Sequence, residues 1–447
     1  MIELLNKLYG NAIVFSNLRA QHRIPYFSTK KLHELRDRRL RRIVQYAAKT
    51  VPYYRDFFQR EGINPGQIKT VADLDRLPLV DKQELRKDPS RFLSNSALGK
   101  NSIAFLTSGS TGLPLNIHHD SNSLLANIAF GERQREVITG ICGRKIGYRE
   151  ALISYNGCVS TKVWDFYEKK TYIPVRPQRL LIPISKTIEA VVQELNRFRP
   201  NVLIGYGSYL EAFFKTIYSM EVNIQLPQVL LYGGDAMTNA GRDFIEEKFG
   251  VPVLSTYQAM ECFKIGFFCE NRENFHLHED LCHVKIVNAD GEEVADDEKG
   301  EVVISNLVNR GTVLLNYRLG DIASISNRKC SCGRTLSLLS EIEGRVEDII
   351  ILPDGQFVHP RVVWSIFKHK NEVLQYQLIQ HELMLFELKL VTGGQETVNG
   401  FLNELLTDLR EVLGESSTIE AEFYNELPRQ NRGKFRSVMS YCKSNVI

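Results

Sequence analysis

Short apolar runs that alternate with helical segments from residue 103 onward predict an α/β protein whose core sheet is largely parallel. The runs are Ala151-Leu152-Ile153-Ser154, Val202-Leu203-Ile204-Gly205, Gln228-Val229-Leu230-Leu231 and Val251-Pro252-Val253-Leu254. The pattern then changes near residue 284. Val284-Lys285-Ile286-Val287 leads through Ala289-Asp290-Gly291 toward Gly300-Glu301-Val302-Val303-Ile304, which predicts a hairpin-rich subdomain. It changes again after Gly344, where the chain reads as a separate small α+β unit. At 447 residues the chain exceeds one ordinary core, so two domains are expected, 1–344 and 345–447.

Taken in order, residues 1 to about 95 read as mainly helical, with Glu34 to Phe58 the clearest helix and the polar stretch Asn95 to Asn101 the exit. Arg36-Asp37-Arg38-Arg39-Leu40-Arg41-Arg42 is a basic run, yet Leu32, Leu35, Leu40, Ile43, Val44 and Ala47 recur through it at helical spacing. It therefore reads as a solvated helix face rather than a contact with an anionic membrane. Ser102-Ile103-Ala104-Phe105-Leu106 reads as a short buried strand. The small unit is expected to hold a hairpin around Pro353-Asp354-Gly355, two strands flanking His381-Glu382, a helix from about Glu396 to Leu413, and a strand from Ile419 to Phe423.

Composition excludes some functions. Lysines and arginines number 56 against 53 acidic residues, a surplus of three that is too small to argue for nucleic acid, and no nucleic-acid partner is expected. No apolar segment approaches the ~20 residues that cross a bilayer, and no cleavable leader pattern is read at the N-terminus. A cytoplasmic location is the expectation. Eight cysteines in such a chain argue against a disulfide scaffold. Cys142, Cys158, Cys262, Cys282 and Cys442 are scattered and read as small packing residues. Cys269, His276, Cys330 and Cys332 differ, because three thiolates and one imidazole make a tetrahedral zinc set. His278 competes with His276 as the imidazole ligand, and unmetallated loop cysteines are the alternative.

Thr107-Ser108-Gly109-Ser110-Thr111-Gly112-Leu113-Pro114 follows the first predicted strand. Without bulky side chains, its backbone N–H groups can approach phosphate oxygens, and the hydroxyls of Thr107, Ser108, Ser110 and Thr111 add donors. A flexible surface linker has the same composition. No Gly-Lys-Ser or Gly-Lys-Thr closes it, so it is not a P-loop. Along the chain follow Tyr257-Gln258-Ala259-Met260-Glu261, Tyr317-Arg318-Leu319-Gly320-Asp321, Gly344-Arg345-Val346-Glu347-Asp348 and Gly433-Lys434-Phe435-Arg436. In this order the motifs resemble the adenylate-forming (acyl-activating, AMP-binding) ligase superfamily. Val51-Pro52-Tyr53-Tyr54-Arg55, Leu77-Pro78-Leu79-Val80-Asp81-Lys82 and Cys330-Ser331-Cys332-Gly333-Arg334 are similar to its phenylacetate-CoA ligase branch and the relatives in capsule biosynthesis.

The resemblance implies a large adenylation domain, a small mobile domain that carries a lysine, and activation of a carboxylic acid by ATP and Mg²⁺. It implies that Ser108 through Gly112, with Thr107, cradle phosphates. Gly233-Gly234-Asp235, Tyr257 and Gln258 would line the nucleotide, Glu261 would hold Mg²⁺, and Asp321 would bind ribose hydroxyls with Arg345 nearby. Lys434 would bridge the carboxylate and the α-phosphate, and Glu347-Asp348 would be the hinge. Tyr155, Tyr206, Tyr209 and Tyr232 lie near segments that line acyl pockets in the family, and some members carry a zinc. Three residues depart from the family pattern. Leu113 stands where a lysine is common, Met260 where a hydroxyl precedes the magnesium glutamate, and Gln258 where glycine is usual. The implied partners are a small carboxylic acid, aryl or otherwise, and CoA as acceptor. An amine acceptor that gives an amide is the rival, a homodimer is left open, and a catalytically silent zinc-stabilised scaffold is a third reading.

Overall fold

The computed structural model describes residues 2–107, 115–172, 178–340, 342, 349–367, 370, 373–392, 398–425, 427 and 437–442. Its N-terminal region is helical as expected, but the segment from Glu34 to Phe58 is two helices rather than one. Thr29–Thr50 is capped by Ser28, whose hydroxyl accepts from the Lys31 N–H, and Pro52–Arg60 starts afresh with Pro52 in its first turn. Val51 sits between them at φ −111° and ψ 115°, the extended conformation a residue before proline favours. Leu32, Leu40, Ile43, Val44 and Ala47 form the buried stripe of the first helix. The basic run is not wholly solvated, however. Arg36 is buried and pairs with Asp37 and Glu279, while Arg39 reaches Asp280 at 2.8 Å.

Ser102–Leu106 is a strand, yet only its Phe105 is buried. It pairs antiparallel with Asn116–Asp120 as a two-stranded arm outside the main sheet. The main sheet has nine strands. Gln178–Pro183, Arg149–Ser154, Val202–Gly205, Val229–Tyr232 and Val253–Ala259 lie side by side in parallel. The sheet then turns antiparallel through Cys262–Phe268, Phe275–Leu277, Leu338–Leu339 and Ile325–Ser326. Central strands such as Val229–Tyr232 are buried along their whole length, because helices including Ile188–Phe198 and Gly207–Ser219 cover them. Cys282–Val287, Gly300–Asn306 and Tyr317–Ala323 form the separate antiparallel sheet that the hairpin signals predict.

The expected boundary near 344 falls outside the described residues, but the sheets divide on either side of it. Beyond it lie the Ile350–Ile351 and Phe357–Val358 hairpin and a sheet of Thr418–Phe423, Leu385–Thr392, Val373–Glu382 and Val438–Ser440. The helix Val398–Leu413 matches the expected span, whereas the Val438–Ser440 strand, which pairs parallel with Val373–Glu382, had no sequence signal strong enough to read. This unit docks on the large one. Gln356 accepts from the Ile188 N–H and donates to Glu189, and Val358, Val363 and Phe367 share a hydrophobic cluster with Tyr209, Phe213 and Phe214.

A buried ionic hub ties the N-terminal helices to the sheet. Arg133 binds both oxygens of Asp280, at 2.7 and 2.9 Å, and donates to Gln21, while Arg39 adds a third bond to the same carboxylate. Burial alone would raise the Asp280 pKa, but Arg133 and Arg39 reverse that and hold it at about 2. Removing one partner strands a charge in low dielectric, so Arg133→Met is expected to cost about 3–5 kcal/mol. Urea denaturation checks this; a change below ~1 kcal/mol contradicts the assignment of the hub as a structural anchor.

Candidate active site

The carboxyl ends of the parallel strands open into a cleft of about 1100 Å³. This is where open α/β sheets bind ligands, since the loops leaving the strands converge there. Tyr155 follows Arg149–Ser154, Tyr206 follows Val202–Gly205, Tyr232 ends Val229–Tyr232 with Gly233-Gly234-Asp235 after it, and all of these line the cleft. Gly233 is required by close approach: a Cβ there would lie 2.9 Å from the Thr256 methyl. Gly234 adopts φ +88° and leaves 3.1 Å between a notional Cβ and the Tyr206 ring. The backbone here is thus exposed to whatever enters the cleft.

Tyr257 and Glu261 come from the hairpin between Val253–Ala259 and Cys262–Phe268. The Tyr257 hydroxyl donates to Asp321 at 2.8 Å, which joins two of the sequence motifs and aims the carboxylate into the cleft they both line. Glu261 is buried, and that burial raises its pKa, against the opposing charge of Lys82. Tyr317 donates to its Oε1 at 3.3 Å, and Asn306 donates to its backbone carbonyl at 2.9 Å. A buried carboxylate facing a cleft is a natural partner for a hard cation, which takes one or two protein oxygens and completes its shell from phosphates and water. Gln258, where glycine is usual, lines the cleft and reaches back to Thr256 at 3.0 Å.

Thr107 also lines the cleft and closes the neck of the Gly/Ser-rich loop. Its N–H donates to the Leu115 carbonyl at 2.9 Å, and its hydroxyl accepts from the Leu115 N–H at 3.1 Å. Ser108, Gly109, Ser110, Thr111, Gly112 and Leu113 lie outside the described residues, as do Arg345, Glu347, Asp348 and Lys434.

Two expected site residues are placed differently. Tyr209 is not on the cleft wall: it is buried on the helix Gly207–Ser219, its ring 5.2 Å from Phe357 and 6.1 Å from Phe213. Asp235 lies at the cleft, but its carboxylate is committed to the fold. It accepts from the Gly207 N–H and from the Ser208 hydroxyl, and His359 of the small unit reaches it at 3.1 Å. Tyr206 stacks on the same imidazole with centroids 4.7 Å apart, so the cleft wall and the small unit meet at this point. What Asp235 leaves to a ligand is its backbone.

Sequence reading passed over Lys82, His119 and Trp364. Lys82 lines the cleft and lowers the Glu261 pKa, and its only signal was membership of the Leu77–Lys82 motif. His119 is fully enclosed, and burial holds its pKa at about 4. It is therefore neutral, and Nε2 lies 2.7 Å from the Met260 carbonyl, which can only accept, so that nitrogen carries the proton. This bond fixes the turn that presents Glu261. Trp364, from the small unit, packs edge-on to Tyr155 across the cleft mouth.

Away from the cleft, Cys269, His276, Cys330 and Cys332 converge, their ligand atoms all within 4.8 Å of one another. Pairing of Phe267 with His276 and of His276 with Leu338 sets the sheet register that brings the two loops together. Cys269 Sγ is 3.6 Å from Cys330 Sγ, and Cys332 Sγ is 3.4 Å from His276 Nε2. Burial pushes the Cys269 thiol up to about 12, a cost that a cation at the centre would offset. His278, the competing ligand, is excluded from the cluster because its Nδ1 faces Arg133 at 3.2 Å in the ionic hub.

Comparison with known proteins adds the relationship. A phenylacetate-coenzyme A ligase of Thermus thermophilus is 26% identical over 78% of this chain and 78% of its own length. Protein CapK of Staphylococcus aureus is 22% identical over 98% of this chain and its whole length. The family model of the CapK C-terminal domain matches residues 350–441. The chain is a relative of the phenylacetate-CoA ligases and of CapK. Its fold is that of adenylate-forming ligases: a 2-hydroxyisobutyryl-CoA ligase, solved with 2-HIB-AMP and CoA, superposes with a TM-score of 0.62 at 18% identity, covering 93% of this chain and 91% of that one. This relationship makes the Asp235 junction informative, since it joins the segment matched by the CapK model to the sheet.

Asp235→Ala removes the acceptor from Gly207, Ser208 and His359 together. The expected loss is about 1–3 kcal/mol, with faster amide exchange in 350–367, read by denaturation and hydrogen exchange. Unchanged exchange in that segment would show that the junction does not hold the small unit.

Proposed function

We propose that this chain is an ATP-dependent ligase that converts a small carboxylic acid, aryl or otherwise, to an acyl adenylate with release of pyrophosphate, then transfers the acyl group to CoA as a thioester. The observation that carries the reading is the convergence of Glu261, the Tyr257–Asp321 pair and the Gly233-Gly234 backbone on one cleft at the strand ends. A carboxylate cannot lose oxide, so its oxygen attacks the α-phosphorus and makes AMP the leaving group. The reaction brings an anion onto a polyphosphate, and catalysis is a matter of positioned charge.

The residues divide that work. Asp321, oriented by Tyr257, offers acceptor oxygens to ribose hydroxyls, and the flat Gly233-Gly234 edge leaves room for the base. Glu261 would hold Mg²⁺, which would neutralise phosphate charge; the buried, cleft-facing carboxylate suits it. Ser108 through Gly112 would wrap phosphates at the loop whose neck Thr107 closes. Arg345 and Lys434 complete the assignment, with Lys434 bridging carboxylate and α-phosphate and Glu347-Asp348 as the hinge that later carries it away. Tyr155, Tyr206 and Tyr232 would border the acyl group. The Cys269, His276, Cys330, Cys332 set would hold a structural Zn²⁺ that clips two distant loops.

The acceptor has a second reading. The match to CapK runs over nearly the whole chain, and the CapK C-terminal model matches the small unit, so an amine acceptor is tested beside CoA. If AMP release responds to an amine and ignores CoA, the product is an amide.

Acid-dependent ATP–pyrophosphate exchange over a panel of acids tests the activity. A nucleotide-binding scaffold without catalysis gives no exchange with any acid. Lys434→Ala should cut exchange by ~100-fold or more, while consumption of a supplied acyl adenylate stays close to wild type; equal, modest losses at Arg432, Lys434 and Arg436 contradict the assignment. For the metal, about one zinc per chain is expected, and Cys332→Ser should lower both zinc content and melting temperature. Protein prepared without chelators that contains no zinc removes that part of the account.

A further inference from the structure

Lys264 is half-buried on the cleft wall and plays no part in the chemistry described above. It lies on the strand Cys262–Phe268, three residues past Glu261, between the main cleft and a small adjoining cavity. Its Nζ sits beside the backbone of Gly131, where a Cβ would come within 3.9 Å of it. Ile128, Val163 and Phe263 pack together on that part of the wall, and Asn127 lines it with Lys264. Two neighbouring cations of the cleft are already neutralised: Glu132 holds Arg135 at 2.7 Å, and Glu150 holds Arg179 at 2.9 Å. Lys264 has no carboxylate within 4.0 Å among the described residues.

An ammonium group drawn partly out of water is costly unless an anion meets it. Burial pushes the Lys264 pKa down to about 8, so the group is still charged at neutral pH and still in want of a partner. Of the residues assigned to ATP, Gly233-Gly234, Tyr257 and Asp321 lie on other strands and loops of the cleft, and Glu261 lies three residues before Lys264 in the chain; Lys264 itself faces Gly131, on the side left to the acyl group. We infer that the acid this chain activates carries a second anionic group, a carboxylate remote from the one that is adenylated, and that Lys264 binds it. Resting on the proposed ligase activity, this assigns the substrate class as dicarboxylic acids whose chain or ring spans from the reacting carboxylate to the Gly131–Lys264 wall. Glycine at 131 leaves space for the carboxylate beside Nζ.

The test is ATP–pyrophosphate exchange by the full chain with aliphatic and aromatic dicarboxylic acids, their monoamides, and simple monocarboxylic acids. The wild type should favour a diacid over its monoamide by roughly 10–100-fold in KM, the range for losing one partner of a desolvated charge pair. Lys264→Met should remove that preference by raising the diacid KM with little change in kcat, and Lys264→Arg should restore part of it. A melting curve for each variant confirms folding. Wild-type preference for uncharged chains, or an unchanged diacid KM in Lys264→Met, overturns the inference while leaving the ligase activity standing. No exchange with any acid overturns the ligase reading, and the inference with it.

Discussion

Glu261 is the point on which the site depends, because a carboxylate held in a protein wall needs every neighbour arranged to keep it there. Its turn is fixed by His119 from the two-stranded arm, its side chain by Tyr317 and its carbonyl by Asn306 from the antiparallel sheet. The N-terminal region contributes the charge of Lys82. Three parts of the chain, distant in sequence, thus close around one residue. Burial raises the Glu261 pKa, and a bound cation would recover that cost when the nucleotide arrives.

The rest of the architecture can be understood as support for that point. The ionic hub of Arg133, Arg39 and Asp280 locks the N-terminal helices against the sheet and, by engaging His278, leaves His276 to face the three cysteines. On the opposite flank, His359 reaches Asp235 and Tyr206, so a residue of the small unit touches the loop that forms the cleft edge. A domain that must move during turnover would have to break this contact, and a few hydrogen bonds with one ring stack are a modest barrier.

The parallel strands were legible because each is a short apolar run bounded by turn residues, and the Cys269, His276, Cys330, Cys332 cluster because sulfur and imidazole in threes and fours have few other uses. Glu261, Tyr257 and Asp321 were legible only as members of an ordered set of motifs. Tyr209 was misplaced because two tyrosines three residues apart after a strand give no sign of which faces the cleft; Tyr206 caps the helix in an extended conformation and stays on the cleft wall, whereas Tyr209 lies inside the helix and turns into the core. The helix break at Val51-Pro52 was readable from proline chemistry and was passed over because the apolar stripe continues through it. His119 and Lys264 carried no local signal. Their roles come from which strands become neighbours, and pairing partners are not written in any short segment.

The central claim is that the acid's own oxygen attacks the α-phosphorus of ATP. Supplying the acid with both carboxylate oxygens labelled as ¹⁸O and analysing the nucleotide product by mass spectrometry tests it directly. Acyl-adenylate chemistry leaves one labelled oxygen in AMP, because the bond broken by the acceptor is between the acyl carbon and that oxygen. Label in inorganic phosphate with ADP as the nucleotide, or AMP free of label, would contradict the account.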